Sequence, residues 1–428
     1  MASYRICLCF SDTGGGHRSA AEAIETALRE VAAKELPGIS VDIFLDNLAE
    51  KTHPINRWFV DLYNYLLRYH QAWMKYYTWF IEESKPNDSA LGYWLAEKYV
   101  KEVFQRERPS VVVSVHPMVN HYLARAMKEL GMSPKDKLIT VITDPNSQLW
   151  SGWACKDADT IIAPNDLAFN RLVELGIDPR RIKTIGMPIQ PQFLRPPKVE
   201  RQELLTSLGL EPARLTICIT AGWAGGGNMV EVYRVLASVA ERLQVIVVCG
   251  HNQELLEEIK HEAASSTVNT VVLPYLESMS DLMASCDLLV TKAGGLTTFE
   301  AIARHLPMAI DLLTEPMPQE AGTAEMLIEQ NLAKPLYKPT DIVHIIESLD
   351  RDPEREKKPL PSAHGLDQTD AVYGIARTIL YSCDPGVGSH LMPEATPQTV
   401  EISPAIAHLA WEMPLAEPLR LEAIPEVE

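Results

Sequence analysis

The sequence predicts an α/β architecture: two doubly wound domains facing a cleft, followed by a disordered, acidic, Pro-rich tail. Three observations lead there. Short β-branched runs alternate with longer amphipathic stretches along most of the 428 residues. The alternation restarts after a Pro-rich stretch, GMPIQPQFLRPPK (186–198). Each half also carries a Gly-rich turn between a strand-like run and a helix-like run. Parallel strands covered by helices on both faces read as short continuous apolar runs, and ligands of such sheets settle at the strands' carboxyl ends.

In chain order, the first Rossmann-like domain spans residues 1–190. Its strands are RICLCF (5–10), ISVDIFL (39–45), VVVSV (111–115), LITVIT (138–143), TIIAP (160–164) and KTIG (183–186), with helices over 18–34, 118–130 and 166–175. Inserted at 53–83 is a helical hairpin holding ten of the chain's thirty aromatics. The second domain spans 191–366. Its strands are LTICIT (215–220), QVIVVCG (244–250), TVVLPY (270–275), LLVTK (288–292) and MAIDLL (308–313), with helices over 229–242, 252–263, 278–285, 296–304 and 320–330. The tail, 384–428, holds seven Pro, eight acids and one Arg, and has too little periodicity for a packed core.

Composition narrows the function. Hydrophobic residues at 46% and charged residues at 22% are ordinary for a globular chain. A net charge of −18 argues against general nucleic-acid binding, which needs basic surface. Seven scattered Cys without a C-x-x-C pair read as buried thiols in a reducing compartment, with no structural zinc. No stretch has the roughly 18 to 20 apolar residues of a membrane-spanning helix, and MASYRICLCFSDTGGG lacks the pattern of a signal peptide. The expectation is a protein that is not threaded through a membrane but can lie on one.

Five constellations carry chemistry. The first is SDTGGGHRSAAEAI (11–24), where Gly14, Gly15 and Gly16 let a ligand approach a helix N-terminus. It is neither G-x-x-x-x-G-K-[ST] nor G-x-G-x-x-G, which removes support for a P-loop NTPase or a dehydrogenase. His17 at its exit is either a general base or a helix-capping group. The second is VTKAGGLTTFEA (290–301): Thr297, Thr298 and backbone N–H groups suit a diphosphate. Glu300 suits two ribose hydroxyls or merely complements the helix dipole. The third, LTEPMPQEAGTAEML (313–327), offers Gln319 and Glu320 to a sugar, or simply starts a helix. The fourth is SVHP with TDPN, whose His116 and Asp144 end two strands on the same rim and serve as acid–base groups or as turn caps. Asp157 and Asp159 form a D-x-D that reads as a turn, not a metal site. The fifth is the aromatic segment. Trp58, Phe59, Tyr65, Trp73, Tyr76 and Trp79, with Arg57, Arg68 and Lys75, suit a bilayer interface; the alternative is a core-packed insertion.

SDTGGGHRSAAEAI, SVHPMVNHYL, TVITDPNSQLW, IGMPIQPQF, VVCGHN and VTKAGGLTTFEA occur in this order over residues 5–385. As an ordered set they resemble the monogalactosyldiacylglycerol synthase and processive diacylglycerol glucosyltransferase family, which is related to the lipid II N-acetylglucosaminyltransferase. The resemblance implies a GT-B fold, with a last helix over 367–383 that returns to the first domain. It implies inverting transfer of a hexose from UDP-galactose or UDP-glucose to diacylglycerol, by a protein peripheral to the cytoplasmic face of a membrane, anionic lipids included. No cofactor and no metal are implied, and no nucleic acid is a partner. The same resemblance makes His17 the base, with Asp144 and His116 in reserve. It sets Gly14, Gly15, Gly16, Gly222, Gly294, Gly295, Thr297 and Thr298 around the UDP-sugar. It sets Tyr275, Leu276 and Met279 at the uracil, Glu300 at the ribose, and Gln319 and Glu320 at the sugar. The family's sugar-side motif usually reads Q-E-E-G-N; here it reads Gln319-Glu320-Ala321-Gly322-Thr323, and Trp223 stands within the glycine segment GWAGGGNM (222–229). The alternatives are another UDP-sugar enzyme of this architecture (a peptidoglycan-precursor transferase or an epimerase) and a non-catalytic lipid- or nucleotide-binding homologue.

Overall fold

The computed structural model describes residues 3–70, 73–132, 137–239, 243–350 and 370–383. The tail from 384 and the junction at 366 lie outside the described residues. In the first half, β1 (Ser3–Phe10) leads through α1 (Gly16–Glu35) to β2 (Ser40–Asn47). Four helices follow: α2 (Leu48–Thr52), α3 (Pro54–Tyr69), α4 (Met74–Ser84) and α5 (Ala90–Glu107). The half continues with β3 (Val111–Ser114), α6 (Asn120–Glu129), β4 (Lys137–Val141), β5 (Thr160–Ala163), α7 (Asp166–Glu174) and β6 (Ile182–Thr184). These strands form one parallel sheet in the order β2-β1-β3-β4-β5-β6.

The second half runs α8 (Arg201–Ser207), β7 (Leu215–Thr220), α9 (Met229–Ser238), β8 (Leu243–Val248), α10 (Gln253–Ala264) and β9 (Asn269–Leu273). It continues α11 (Ser280–Ala284), β10 (Leu288–Thr291), α12 (Gly295–Ala303), β11 (Met308–Asp311), α13 (Pro318–Glu329), β12 (Ala333–Leu336) and α14 (Asp341–Asp350). Its parallel sheet has the order β12-β11-β10-β7-β8-β9. This is the two-domain GT-B arrangement of doubly wound sheets. Strand order reverses between β1 and β3 in one sheet and between β7 and β10 in the other. Open parallel sheets bind ligands at such switch points, so the turns after β1, β3, β7 and β10 are where a site belongs.

Local sequence explains the elements that matter to that site. Residues 6–10 of β1 are all buried, because helices cover both faces of the strand. In α1 the buried positions Ala20, Ala23, Ile24, Ala27, Leu28 and Val31 recur at helical spacing. Ile24, Leu28 and Val31 each contribute roughly 1.5–3 kcal/mol of burial. The final helix, α15 (Ala371–Cys383), packs on α1. Val372, Ile375, Ala376 and Ile379 are fully buried there, Arg377 pairs with Glu35 at 2.9 Å, and the Tyr373 hydroxyl donates to Glu30 at 2.9 Å.

The structure adds elements that were not expected. Helix α5 begins where the Ser89 hydroxyl accepts the Gly92 N–H, and buries Tyr93, Ala96, Val100, Val103 and Phe104. Strand β12 is Ala-Lys-Pro-Leu. It is tolerated because it lies at the sheet edge, where Pro335 forfeits no ladder bond on its open side. Asp159 of the D-x-D accepts the Leu138 N–H at 2.9 Å and pairs with Lys137 at 3.1 Å, a structural role at the start of β4. Six cysteines are buried and Cys383 is half-buried; all are free thiols. Among the described residues, no helix is long and apolar enough to cross a membrane.

Candidate functional site

A cleft of about 360 Å³ opens between the two sheets at both switch points. His17, Asp144, Gly14, Gly15, Gly16, Gly222, Tyr275, Leu276, Met279, Gly294, Gly295, Thr297, Glu300, Gln319 and Glu320 all line it. Two of the expected residues, His116 and Thr298, do not.

The turn after β1 holds the N-terminal side. Gly14 and Gly15 take positive φ of 70° and 81°, which L side chains rarely adopt, and Gly16 starts α1. The turn is gripped from three sides. Glu50 of α2 accepts from the Ser11 hydroxyl at 2.7 Å and from the Asp12 N–H at 2.6 Å. Arg18 makes a two-pronged bond to the Asp12 carboxylate at 2.6 and 2.7 Å. Asn64 of α3 accepts from the Gly14 N–H at 2.9 Å and donates to the Asp12 carbonyl at 2.8 Å. The Gly14 N–H is therefore taken up by Asn64, and a Cβ on Gly15 would stand 2.6 Å from Trp223 of the opposite domain. Gly16 alone of the three has open space around it, so the glycine run is only in part a ligand cradle.

His17 lies at the start of α1. Its Nδ1 is 2.7 Å from the Val115 carbonyl, which can only accept, so Nδ1 carries the proton and Nε2 keeps the lone pair. Burial pushes its pKa down to about 4, and the ring is neutral at pH 7. His116 is edge-on to His17 with ring centroids 4.3 Å apart. Its Nδ1 accepts the Met118 N–H at 3.2 Å, which leaves Nε2–H to donate to the Thr13 hydroxyl at 2.9 Å. Both nitrogens are engaged and burial lowers its pKa well below the usual value, so His116 is a buttress behind His17, not a base facing the cleft. Asp144 is not a turn cap. Its carboxylate accepts the Trp153 indole N–H at 2.6 Å, and burial raises its pKa.

The second domain supplies the opposite wall. Gly222 has φ 72°, and its N–H donates to the Thr220 hydroxyl at 3.2 Å. Gly294 precedes α12, whose first N–H groups open toward the cleft beside Thr297. Thr298 is fully buried and its hydroxyl turns back to the carbonyls of Gly294 and Gly295, at 3.0 and 3.1 Å. The side chain seals the helix start and cannot reach a phosphate. Glu300 lies in the second turn of α12, so helix-dipole complementation does not account for it. It is 9% exposed, and desolvation raises its pKa to about 7. Tyr275 stacks against His251 at 4.3 Å, with Leu276 and Met279 beside it. Glu320 stands in the first turn of α13; burial raises its pKa while Lys292 opposes the shift.

Several lining residues were not anticipated. Lys292 follows β10 directly, lies in the field of Glu320 and Asp311, and has its pKa lowered by burial. A charged residue ending a buried strand was the signal. Tyr63 and Leu67 were counted only among the aromatic insertion, yet they point from α3 into the cleft. Gln190 and Gln192 line it from the stretch read as a linker. Thr323, in place of the motif's usual Asn, accepts the Asn146 amide at 2.9 Å across the domain boundary and donates to the Gln319 carbonyl.

The insertion divides into two faces. Of the fourteen large exposed hydrophobics among the described residues, ten lie between 55 and 94, a concentration beyond scattered surface apolars. They include Trp58, Tyr65, Trp73, Tyr76 and Trp79 as expected, and add Ile55, Tyr69, Phe80, Leu91 and Trp94. Phe59 is half-buried, edge-to-face with Trp58 at 5.1 Å.

Residues 17–189 match the family model of monogalactosyldiacylglycerol (MGDG) synthase, and residues 216–321 that of the glycosyltransferase family 28 C-terminal domain. Monogalactosyldiacylglycerol synthase 1, chloroplastic, of Arabidopsis thaliana is 28% identical over 355 residues, covering 80% of this chain and 64% of that protein. The Spinacia oleracea synthase is 28% identical over 353 residues, covering 80% and 65%. The chain thus spans just under two thirds of these relatives' length. Among solved structures, UDP-GlcNAc 2-epimerase from Neisseria meningitidis bound to UDP-GlcNAc aligns with TM-score 0.58 at 14% identity, covering 88% of this chain and 99% of that one. MurG of Acinetobacter baumannii aligns with TM-score 0.56 at 14% identity and the same coverage. These two likenesses establish the fold alone. The chain is a two-domain GT-B protein similar to the monogalactosyldiacylglycerol synthase family, matching that family's model over 17–189 and the glycosyltransferase family 28 C-terminal model over 216–321.

Proposed function

We propose that this chain transfers a hexose from UDP-galactose or UDP-glucose to diacylglycerol at a membrane surface, with inversion at the sugar carbon. It would act as a peripheral protein on the cytoplasmic face. The observation that carries this reading is His17: a neutral imidazole with its tautomer fixed by a backbone carbonyl, in a cleft bounded by two strand-to-helix turns. The names of the relatives and the exposed aromatics between 55 and 94 favour a lipid acceptor over epimerisation, which needs no bilayer.

In this mechanism UDP occupies the second domain, with its ribose hydroxyls donating to Glu300 and its diphosphate at the start of α12. Fixed helix N–H groups and the Lys292 ammonium stabilise the charge that builds on departing UDP. The lipid hydroxyl oxygen attacks the anomeric carbon from the face opposite UDP. The bond to the diphosphate breaks, and the hydroxyl proton passes to His17 Nε2. General-base assistance is typically worth ~10²–10⁴-fold. His17→Ala should lower turnover over that range while UDP affinity, followed by calorimetry, stays near wild type. The decisive assay incubates the chain with labelled UDP-galactose or UDP-glucose and diacylglycerol vesicles, then resolves products by chromatography and assigns the anomer by NMR. A β-glycosyldiacylglycerol supports the reading; release of free sugar only, or an epimerised nucleotide, rejects it.

A further inference from the structure

Resting on that reading, we propose that Asn64 is a positioning residue through which the seating of α3 on a lipid bilayer sets the glycine turn that carries His17.

The residues of α3 sort by helical spacing. Asn56, Val60, Tyr63, Asn64 and Leu67 face the protein, whereas Trp58, Tyr65 and Tyr69 are exposed on the other side. On the inner side Asn64 bonds two alternate backbone groups of one turn, the Gly14 N–H and the Asp12 carbonyl. Leu67 and Tyr63 pass 3.5 and 3.9 Å from the place a Cβ on Gly14 would occupy. The turn ends at Gly16, and the next residue is His17. A displacement of α3 relative to the sheet therefore moves the backbone immediately before the base.

The helix buries less against the protein than α1 does. Among its sixteen residues only Val60 is buried, whereas α1 buries seven. Helices in proteins are stabilised chiefly by the apolar face they bury, and elements with few buried contacts open most easily. The exposed rings of α3 are of the kind that settle at a bilayer interface. A bilayer would supply the missing packing, narrow the range of α3 positions and, through the Asn64 amide, narrow those of the turn. A ligand that favours one arrangement of a two-position element shifts the population by its differential affinity.

The test uses the full chain, a short-chain water-soluble diacylglycerol as acceptor, and phosphatidylcholine vesicles that contain no diacylglycerol. The wild type should turn over at least about 5-fold faster with vesicles, the lower end of ordinary site-to-site coupling. Asn64→Ala should float with the vesicles as wild type does, yet gain less than about 2-fold from them, well short of that coupling. Asn64→Asp retains the acceptor for Gly14 but loses the donor to Asp12, and should show an intermediate response. It also serves if the alanine variant fails to fold. A wild type that transfers sugar without any vesicle response overturns the coupling. So does an Asn64→Ala protein that floats and responds fully. Absence of transfer under every condition would instead reject the proposed function.

Discussion

At the scale of single residues, the site is built from groups whose protonation is set by burial. Glu300 has a folded pKa near 7 against the usual 4.5. Between those values the folded chain holds a proton that the unfolded chain has lost, so the group's contribution to stability falls as pH rises from 4.5 to 7 and is fully unfavourable above 7. The shift corresponds to about 3 kcal/mol. Glu300→Gln should therefore raise the melting temperature at pH 8 and leave it unchanged at pH 4. Under the proposed function, in which Glu300 accepts the ribose hydroxyls, the wild-type donor KM should climb as pH drops through 7, because a protonated Glu300 would accept only one of them well; the Gln variant should lose that dependence. His17 has the opposite sign: its base form persists down to about pH 4, so the acidic limb of kcat/KM should not follow an ordinary histidine near 6.5. The residue types of this pair were legible in the sequence. The reasons for their states were not. A fixed tautomer depends on Val115 and a depressed pKa on burial, 98 residues from His17 in the chain. Thr298 was misassigned because a spacing cannot show that a hydroxyl has turned back onto its own helix.

At the scale of elements, eleven strands were readable because each is a continuous β-branched run, and β12 was not, because Pro335 breaks its pattern. Helix α5 carried a full signature, a Ser cap followed by apolar positions at helical spacing, which the aromatic excess just before it overshadowed. The aromatic segment was legible as a surface device. That one face of α3 also builds the cleft was not, since aromatic content says nothing of which ring points inward. The packing of α15 on α1 gives a direct test. Ile375 is fully buried, and Ile375→Ala should cost about 2–5 kcal/mol, measured as a lowered urea midpoint with an unchanged slope. A cost under roughly 0.5 kcal/mol, the range of an ordinary surface substitution, would mean that α15 does not sit on α1 in solution.

At the scale of the whole molecule, the two sheets meet through a few close contacts around the cleft. Gly295 of α12 lies so near the other domain that a Cβ would stand 2.4 Å from the Thr143 carbonyl. Gly15 meets Trp223, and Asn146 meets Gln319 and Thr323. The sequence announced two domains, but no single-chain pattern reveals which residues of one domain face which of the other. Gly295→Ala should cost about 1–3 kcal/mol as the domains are pushed apart, with turnover falling in parallel; an unchanged melting temperature and rate would rule out the close approach. The return of α15 to α1 has a consequence for dissecting the protein. An N-terminal half cut out at residue 190 would lack Val372, Ile375, Ala376 and Ile379, and would present the stripe they cover as a sticky surface. Such a fragment would be prone to precipitate unless residues 370–383 were grafted back through a short spacer, so the functional halves of this protein are not its contiguous halves.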